Sequence, residues 1–276
     1  VSTTLFVDGH VHIHPCFDIG GFFASAQRNL RKAALAKGCA EGEWQGALLL
    51  AESGAVRAFE RLREGRDSLP AGIRIEPTRD EACLRVRVDG SMPLYLIAGR
   101  QVATTSGVEV LSLFTRDIVP DGLGFEDAME RSCATGGLTA IPWGFGKWSL
   151  ARGNLVRAQL HARPPGSIAL GDNGGRLSIG PPPVLFGEAA TLGFAVLPGS
   201  DPFPFASQVS RVGTFGFRID DWDDGEDAPA TALLGKLRGR KASPDYFGRL
   251  TGPVEFLVSQ VRMQYHNRFR PGRGSG

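Results

Sequence analysis

The stretch Leu5-Phe6-Val7-Asp8-Gly9-His10-Val11-His12-Ile13-His14-Pro15 gathers groups able to do chemistry, since three of the chain's five histidines fall within it. Side chains two apart on an extended chain point the same way. His10 and His12 can therefore offer two imidazoles to one ion from the end of a strand, with His14 in reach from the following turn. Imidazole suits zinc, iron, manganese or nickel, so the pair does not name the metal. The bland alternative, a strand end with histidines that bind nothing, leaves the clustering to chance.

Other polar residues stand where buried strands are expected to end. Glu52 follows Gln45–Ala51, Gln101 follows Arg100, Asp172 precedes Asn173, and Asp201 follows the strand Phe194–Leu197. Two imidazoles with one or two carboxylates is a usual ligand set for a catalytic ion with an open position for water. Such an ion makes the water acidic enough to yield hydroxide near neutral pH. The metal ligands expected from these strand ends are His10, His12, Asp201 and Glu52, around a divalent ion (Zn, Mn or Fe). Asp201 or Glu52 would orient the water or move protons, and Lys147 and Arg176 would steady an anionic substrate. Each has a plain reading beside the chemical one. Asp201 before Pro202 also forms turns, Glu52 suits a helix N-terminus, and Asp172 in Gly-Asp-Asn-Gly-Gly reads as a turn. Lys147, Arg152 and Arg176 also fit a solvated surface, and Lys147 is a lesser candidate for Schiff-base chemistry. Trp143 and Trp148 wall a pocket or fill the core. His161 and His266 sit late on helices, where a surface role is the commoner one.

The elements that must position these groups follow from periodicity. Leu5–Val7 reads as a buried strand, Phe22–Lys37 as a helix stopped by Gly38, and Gly54–Arg63 as a second helix capped by Ser53. Strand, helix, strand, helix is the pattern of a parallel sheet. Between 73 and 114 the runs Ile73–Ile75, Leu84–Val88, Leu94–Ala98 and Val108–Phe114 signal antiparallel pairing, with Asp89-Gly90 as a hairpin turn. Alternation then returns: helices over Phe125–Thr135, Leu150–His161 and Val184–Leu192, with strands Leu138–Pro142, Ser167–Leu170 and Phe194–Leu197 between and after them. Two more helices are expected over Ala230–Arg238 and Val254–Asn267. Asp223–Asp227 reads as a solvated acidic loop.

The totals exclude several classes. With 276 residues, 42% hydrophobic and 22% charged, the chain suits one large globular domain, expected over 1–269 with a fraying tail at 270–276. A net charge of +2 with scattered arginines gives no nucleic-acid signature. No apolar run approaches the ~18 residues that span a bilayer, so neither membrane nor nucleic acid is an expected partner. Cys16, Cys39, Cys83 and Cys133 form no C-x-x-C pair, which points away from zinc fingers and disulfides and toward a reducing compartment. The opening residues lack a signal peptide's charged start, so the cytoplasm is expected.

The order of landmarks resembles the polymerase-and-histidinol-phosphatase (PHP) superfamily of metal-dependent phosphoesterases from Leu5 to about Gly216. Asp8-Gly9-His10-Val11-His12 is similar to its opening H-x-H; Gly99-Arg100-Gln101 stands where the family has G-x-E, and Glu109-Val110-Leu111 where it has H-x-L. Gly136–Trp143 resembles its glycine-pair strand, and Gly199-Ser200-Asp201-Pro202-Phe203 with Val212-Gly213 its late motifs. The resemblance implies a single distorted (β/α)7 TIM-like barrel, with a β-hairpin insertion around 73–114, and metal-assisted hydrolysis of a phosphoester. His10, His12 and Asp201 match family ligand positions. Gln101 replaces a bridging glutamate, and Glu109, Trp143 and Phe203 replace histidines; the resemblance then implies one divalent ion or at most two, held by His10, His12 and Asp201 with Glu52 or Glu109. Two alternatives remain at this point: a descendant that lost its metals and binds a small molecule or protein, and an amidohydrolase-like C–N hydrolase, whose superfamily also opens with H-x-H.

Overall fold

The computed structural model describes residues 3–268, with side chains to residue 264; the expected tail at 270–276 and the side chain of His266 lie outside the described residues. The first half comprises β1 (Thr3–Val11), α1 (Ile19–Ala36), β2 (Trp44–Leu50), α2 (Ala58–Arg63), β3 (Ile73–Pro77), β4 (Cys83–Val88), β5 (Leu94–Ile97), β6 (Gly99–Ala103) and β7 (Glu109–Leu113). There follow α3 (Phe125–Ala134), β8 (Leu138–Pro142), α4 (Ala151–Ala162), β9 (Ala169–Asn173), α5 (Val184–Thr191) and β10 (Val196–Gly199). A 3-10 turn (Ala206–Arg211), β11 (Phe215–Trp222), α6 (Pro229–Leu237), β12 (Tyr246–Gly248) and α7 (Pro253–Arg268) complete the order.

The strands form two mixed sheets, one of seven in the order β12-β11-β1-β2-β5-β4-β3 and one of five in the order β10-β9-β8-β7-β6. The TIM-like barrel expected from the sequence is thereby corrected, because neither sheet closes on itself. The cause lies in strand pairing. β11 adds antiparallel to the free side of β1, while β4 and β3 fold back antiparallel beyond β5. The larger sheet therefore ends in two edges, β12 and β3, where a barrel needs its first and last strands to meet. The antiparallel segment over 73–114 is divided between the sheets: β3 to β5 extend the larger one, and the β6–β7 hairpin opens the smaller.

Three packed layers of side chains follow. Leu5 and Val7 of β1 share an interior with Leu49, Ile97, Leu111 and Leu197, which come from both sheets, and α6 contributes Leu233 and Leu237. Phe6 and Val11 face the other way, onto Phe22, Phe23, Ala26 and Leu30 of α1. Asp18 caps that helix by accepting the Gly21 N–H at 2.6 Å. Val110, Ile141 and Leu170 cover the outer face of the smaller sheet beneath Phe125, Met129, Val156 and Leu185. Complete burial of Leu5, Phe6 and Val7 contributes about 1.5–3 kcal/mol each. β1 is thus firmly anchored in the larger sheet, and it carries His10 at its end.

The two edge strands of the smaller sheet, β6 and β10, each approach the end of a central strand of the larger one. Glu52, beyond β2, bridges to Arg100 of β6, and the Asp201 N–H beyond β10 donates to the His10 carbonyl at 2.8 Å. Glycine permits the second approach. A Cβ on Gly199 would stand 2.3 Å from the His10 nitrogen, and one on Gly9 would stand 2.6 Å from the Pro198 oxygen.

Candidate metal centre

That second approach brings the end of β1 against the turn after β10. His10 Nε2 and His12 Nε2 lie 3.1 Å apart, and Asp201 Oδ1 lies 3.7 and 3.2 Å from them. Gln101 Oε1 stands 3.0 Å from His10 Nε2. Both histidines are buried. Two ring nitrogens, a carboxylate oxygen and an amide oxygen thus converge, and the ring protons available cannot satisfy all four. A triangle with sides of 3.1, 3.2 and 3.7 Å has a circumradius of about 1.9 Å. Zinc binds imidazole and carboxylate at about 2.0–2.2 Å, so an ion slightly above the plane of these atoms would meet all three. The donor set fits a divalent ion.

The protonation states agree with ligation. Burial is the largest influence on His10 and carries its pKa below the ordinary imidazole value, although Asp201 pulls the other way, so its lone pair is available. Burial would raise the Asp201 carboxyl; the neighbouring His10, His12 and Lys147 outweigh it and hold the group well below the usual carboxylate range. His12 Nδ1 is buried with no hydrogen-bond partner, and its ring instead stacks on His14 at 5.0 Å between centroids.

Asp201 is held from several sides. Its φ of 43° places a non-glycine residue in the left-handed region, a conformation that persists only where surrounding contacts enforce it. Asn173 donates Nδ2 to Asp201 Oδ2 at 3.1 Å and to the Trp143 carbonyl at 2.8 Å, leaving Oδ1 of Asp201 for the histidines. Behind the site, fully buried Asp8 accepts N–H groups from His10 (3.3 Å), Ser200 (2.7 Å) and Gly213 (2.8 Å). It ties β1 to the turns on either side of Asp201. Burial pushes its carboxyl up to about 7, with those N–H donors working against the rise.

The remaining expected residues lie elsewhere or are already engaged. Glu52 does not join the cluster: its Oε1 accepts the Phe59 N–H at 2.8 Å, the helix-capping reading of this residue. Glu109 also stands outside the group that could hold an ion, and pairs with Lys147 at 2.5 Å. Arg176 forms a two-pronged pair with Asp172, both bonds 2.9 Å. His14 Nε2 meets the Pro202 carbonyl at 2.9 Å. Trp148 packs on Phe186, and His161 pairs with Glu188 at 3.0 Å on the surface. Asp8, which holds the main chain around the cluster, is a residue that sequence reading passes over; its signal is an acid set directly after the buried run Leu5–Val7 and before the histidines.

No protein-family model and no curated protein matches the chain. Among solved structures the chain is similar to PsfC from Pseudomonas syringae PB-5123, with a TM-score of 0.56 and 15% sequence identity over 95% of this chain and 99% of that one. At that identity the likeness is one of fold, shared along nearly the whole of both chains.

Proposed function

We propose that the protein is a metal-dependent hydrolase acting on a small anionic substrate, a phosphoester before an amide. The observation that supports this is the convergence of His10 Nε2, His12 Nε2 and Asp201 Oδ1 with a spacing suited to one divalent ion. Zinc, manganese or iron held there would polarise the scissile group and lower the pKa of a water. His10, whose pKa burial carries below the ordinary imidazole value, and Asp201, held below the usual carboxylate range, would supply the lone pairs that such an ion needs. Asn173 fixes which Asp201 oxygen faces the histidines. Gln101 offers a neutral oxygen where the resembled family has a bridging glutamate, and Glu52 and Glu109 are otherwise engaged, which favours one ion over two. Lys147 is close enough to influence Asp201 and is partly exposed; it would meet the anionic part of the substrate once released from Glu109. The preference for phosphoesters comes from the resemblance of the H-x-H and Gly-Ser-Asp segments to PHP enzymes.

No helix among the described residues is long and apolar enough to cross a membrane. The four cysteines are all free thiols, which supports a cytoplasmic setting.

Elemental analysis of protein purified without chelators tests the centre. One equivalent of a transition metal is expected, lost in His10→Ala/His12→Ala. A phosphoester screen with that metal added then tests the reaction. Protein that is metal-free after such purification and binds none on titration would overturn the proposal.

A further inference from the structure

A cavity of about 300 Å³ lies away from the metal cluster, lined by Glu52, Arg57, Phe59, Arg100, Asp117 and Ile118 among others. Neighbouring strand residues point to opposite faces. Gln101 of β6 turns to His10, while Arg100 before it turns to the cavity. Two guanidinium groups meet there on one neutral acceptor: Arg57 Nη1 and Arg100 Nη2 both donate to the Gly54 carbonyl, at 3.2 and 2.9 Å.

Neither cation forms a close two-pronged pair with a carboxylate, although Arg57 lies near enough to Glu52 to act on it electrostatically. Arg57's other bond is to the Val56 carbonyl at 2.7 Å, and it forms no ion pair among the described residues. Arg100 is only 7% exposed and reaches a single carboxylate, Asp121, at 3.5 Å. Arg116, also on the wall, is taken up by Glu60 and Glu81. Like charges this close, one of them buried, call for an anion between them, and guanidinium forks match carboxylate and phosphate oxygens. The carboxyls facing the same space are Glu52, Asp117 and Glu60, the last held by Arg116, so an occupant must also present a hydrogen-bond donor. Burial raises the Glu52 pKa, with the Phe59 and Ala58 N–H groups and the Arg57 and Arg61 cations working against the rise. The volume is at the small end for ligand pockets.

We propose that this cavity is a second ligand site, for a small hydroxylated oxyanion whose charged group lies between Arg57 and Arg100 and whose hydroxyl faces Glu52. The shared chemistry is that of a hydroxycarboxylate or a phosphate ester. The site stands apart from the metal centre and does not rest on the hydrolase reading. Its test therefore uses the His10→Ala/His12→Ala variant, titrated calorimetrically with malate and with glycerol phosphate against a chloride control. Saturable binding of one equivalent of at least one probe is expected, and the probe that binds names the oxyanion. Arg57→Gln should weaken it at least tenfold, because the side chain's hydrogen bonds in the free protein go to main-chain carbonyls and leave its charge for the ligand. Ile118→Trp, which fills the cavity from a position 59% exposed, should abolish binding and decides the matter if Arg57→Gln does not fold. Saturation by neither probe overturns the proposal, as does undiminished affinity in Arg57→Gln or Ile118→Trp. Binding that appears only when His10 and His12 are intact overturns it equally, by placing the anion at the metal centre.

Discussion

Gly199→Ala is a sharp probe of how the metal centre is assembled, since it alters no ligand. The added methyl would stand 2.3 Å from the His10 nitrogen and 2.5 Å from its Cβ. Ordinary contact begins near 3.4 Å, so β10 must retreat from β1 by about 1 Å, at a cost of roughly 1–3 kcal/mol for overpacking. Asp201 lies two residues beyond, and its N–H bond to the His10 carbonyl spans this gap. Moving Oδ1 back by the same ~1 Å enlarges the ligand triangle to a circumradius of about 2.4 Å, beyond the ~2.0–2.2 Å of a zinc bond. The ion then keeps two imidazoles, and its affinity should fall by a factor on the order of ten to a hundred, as when a ligand loses its support. Competition with a chromogenic chelator measures the affinity, and urea unfolding of the metal-free protein measures the stability. Asp201→Ala is the reference, and the two variants should bind the ion about equally weakly. A Gly199→Ala protein with wild-type metal affinity would refute the claim that close passage of β1 and β10 builds the site.

Other expectations are as direct. Asp8→Asn sets an amide N–H₂ against a main-chain N–H donor and should cost about 1–3 kcal/mol in urea unfolding. Its pH dependence has a definite sign. The folded Asp8 pKa is about 7 against 3.8, so the native state binds more protons between those values, and this contribution is present at low pH and lost as pH rises toward 7. The wild type's margin over Asp8→Asn should therefore shrink from pH 5 to 7 by up to about 1.4 kcal/mol per unit; a margin that widens would contradict the burial argument. Gly187→Ala in α5 and Gly235→Ala in α6 meet nothing within 4 Å, and each should stabilise by ~0.5–1 kcal/mol, visible as a raised Tm. Removing the ion with a chelator should lower the Tm of wild type and leave that of His10→Ala/His12→Ala unchanged, because only the former binds it.

The histidine pair was legible because alternation on an extended chain is a local property, and Asp201 because a polar residue after a buried run marks a strand end. Neither required knowledge of which strands pair. The barrel expectation did require it. Helix and strand periods give no sign that β11 runs antiparallel beside β1, or that β4 and β3 extend the larger sheet beyond β5. Glu52, Glu109 and Arg176 show another limit. Each lies close to where a site residue belongs, yet the partner that claims it is a main-chain N–H or a charge that folding brings alongside. Gly9 and Gly199 were printed in the sequence, but a glycine declares a close approach only when its neighbour is known.

Asp8 and Ser200 meet across 192 positions of chain, which has a consequence for biosynthesis. A ribosome adding about 5–20 residues per second emits the histidine-bearing strand on the order of ten to forty seconds before the loop that completes the pocket. Throughout that interval the nascent chain holds two adjacent imidazoles without their acidic partner, able to grip a metal only loosely and to exchange it freely. On the proposed reading, selection of the ion is deferred until the polypeptide is mostly made, and the choice would fall to whichever cation the nearly finished protein encounters.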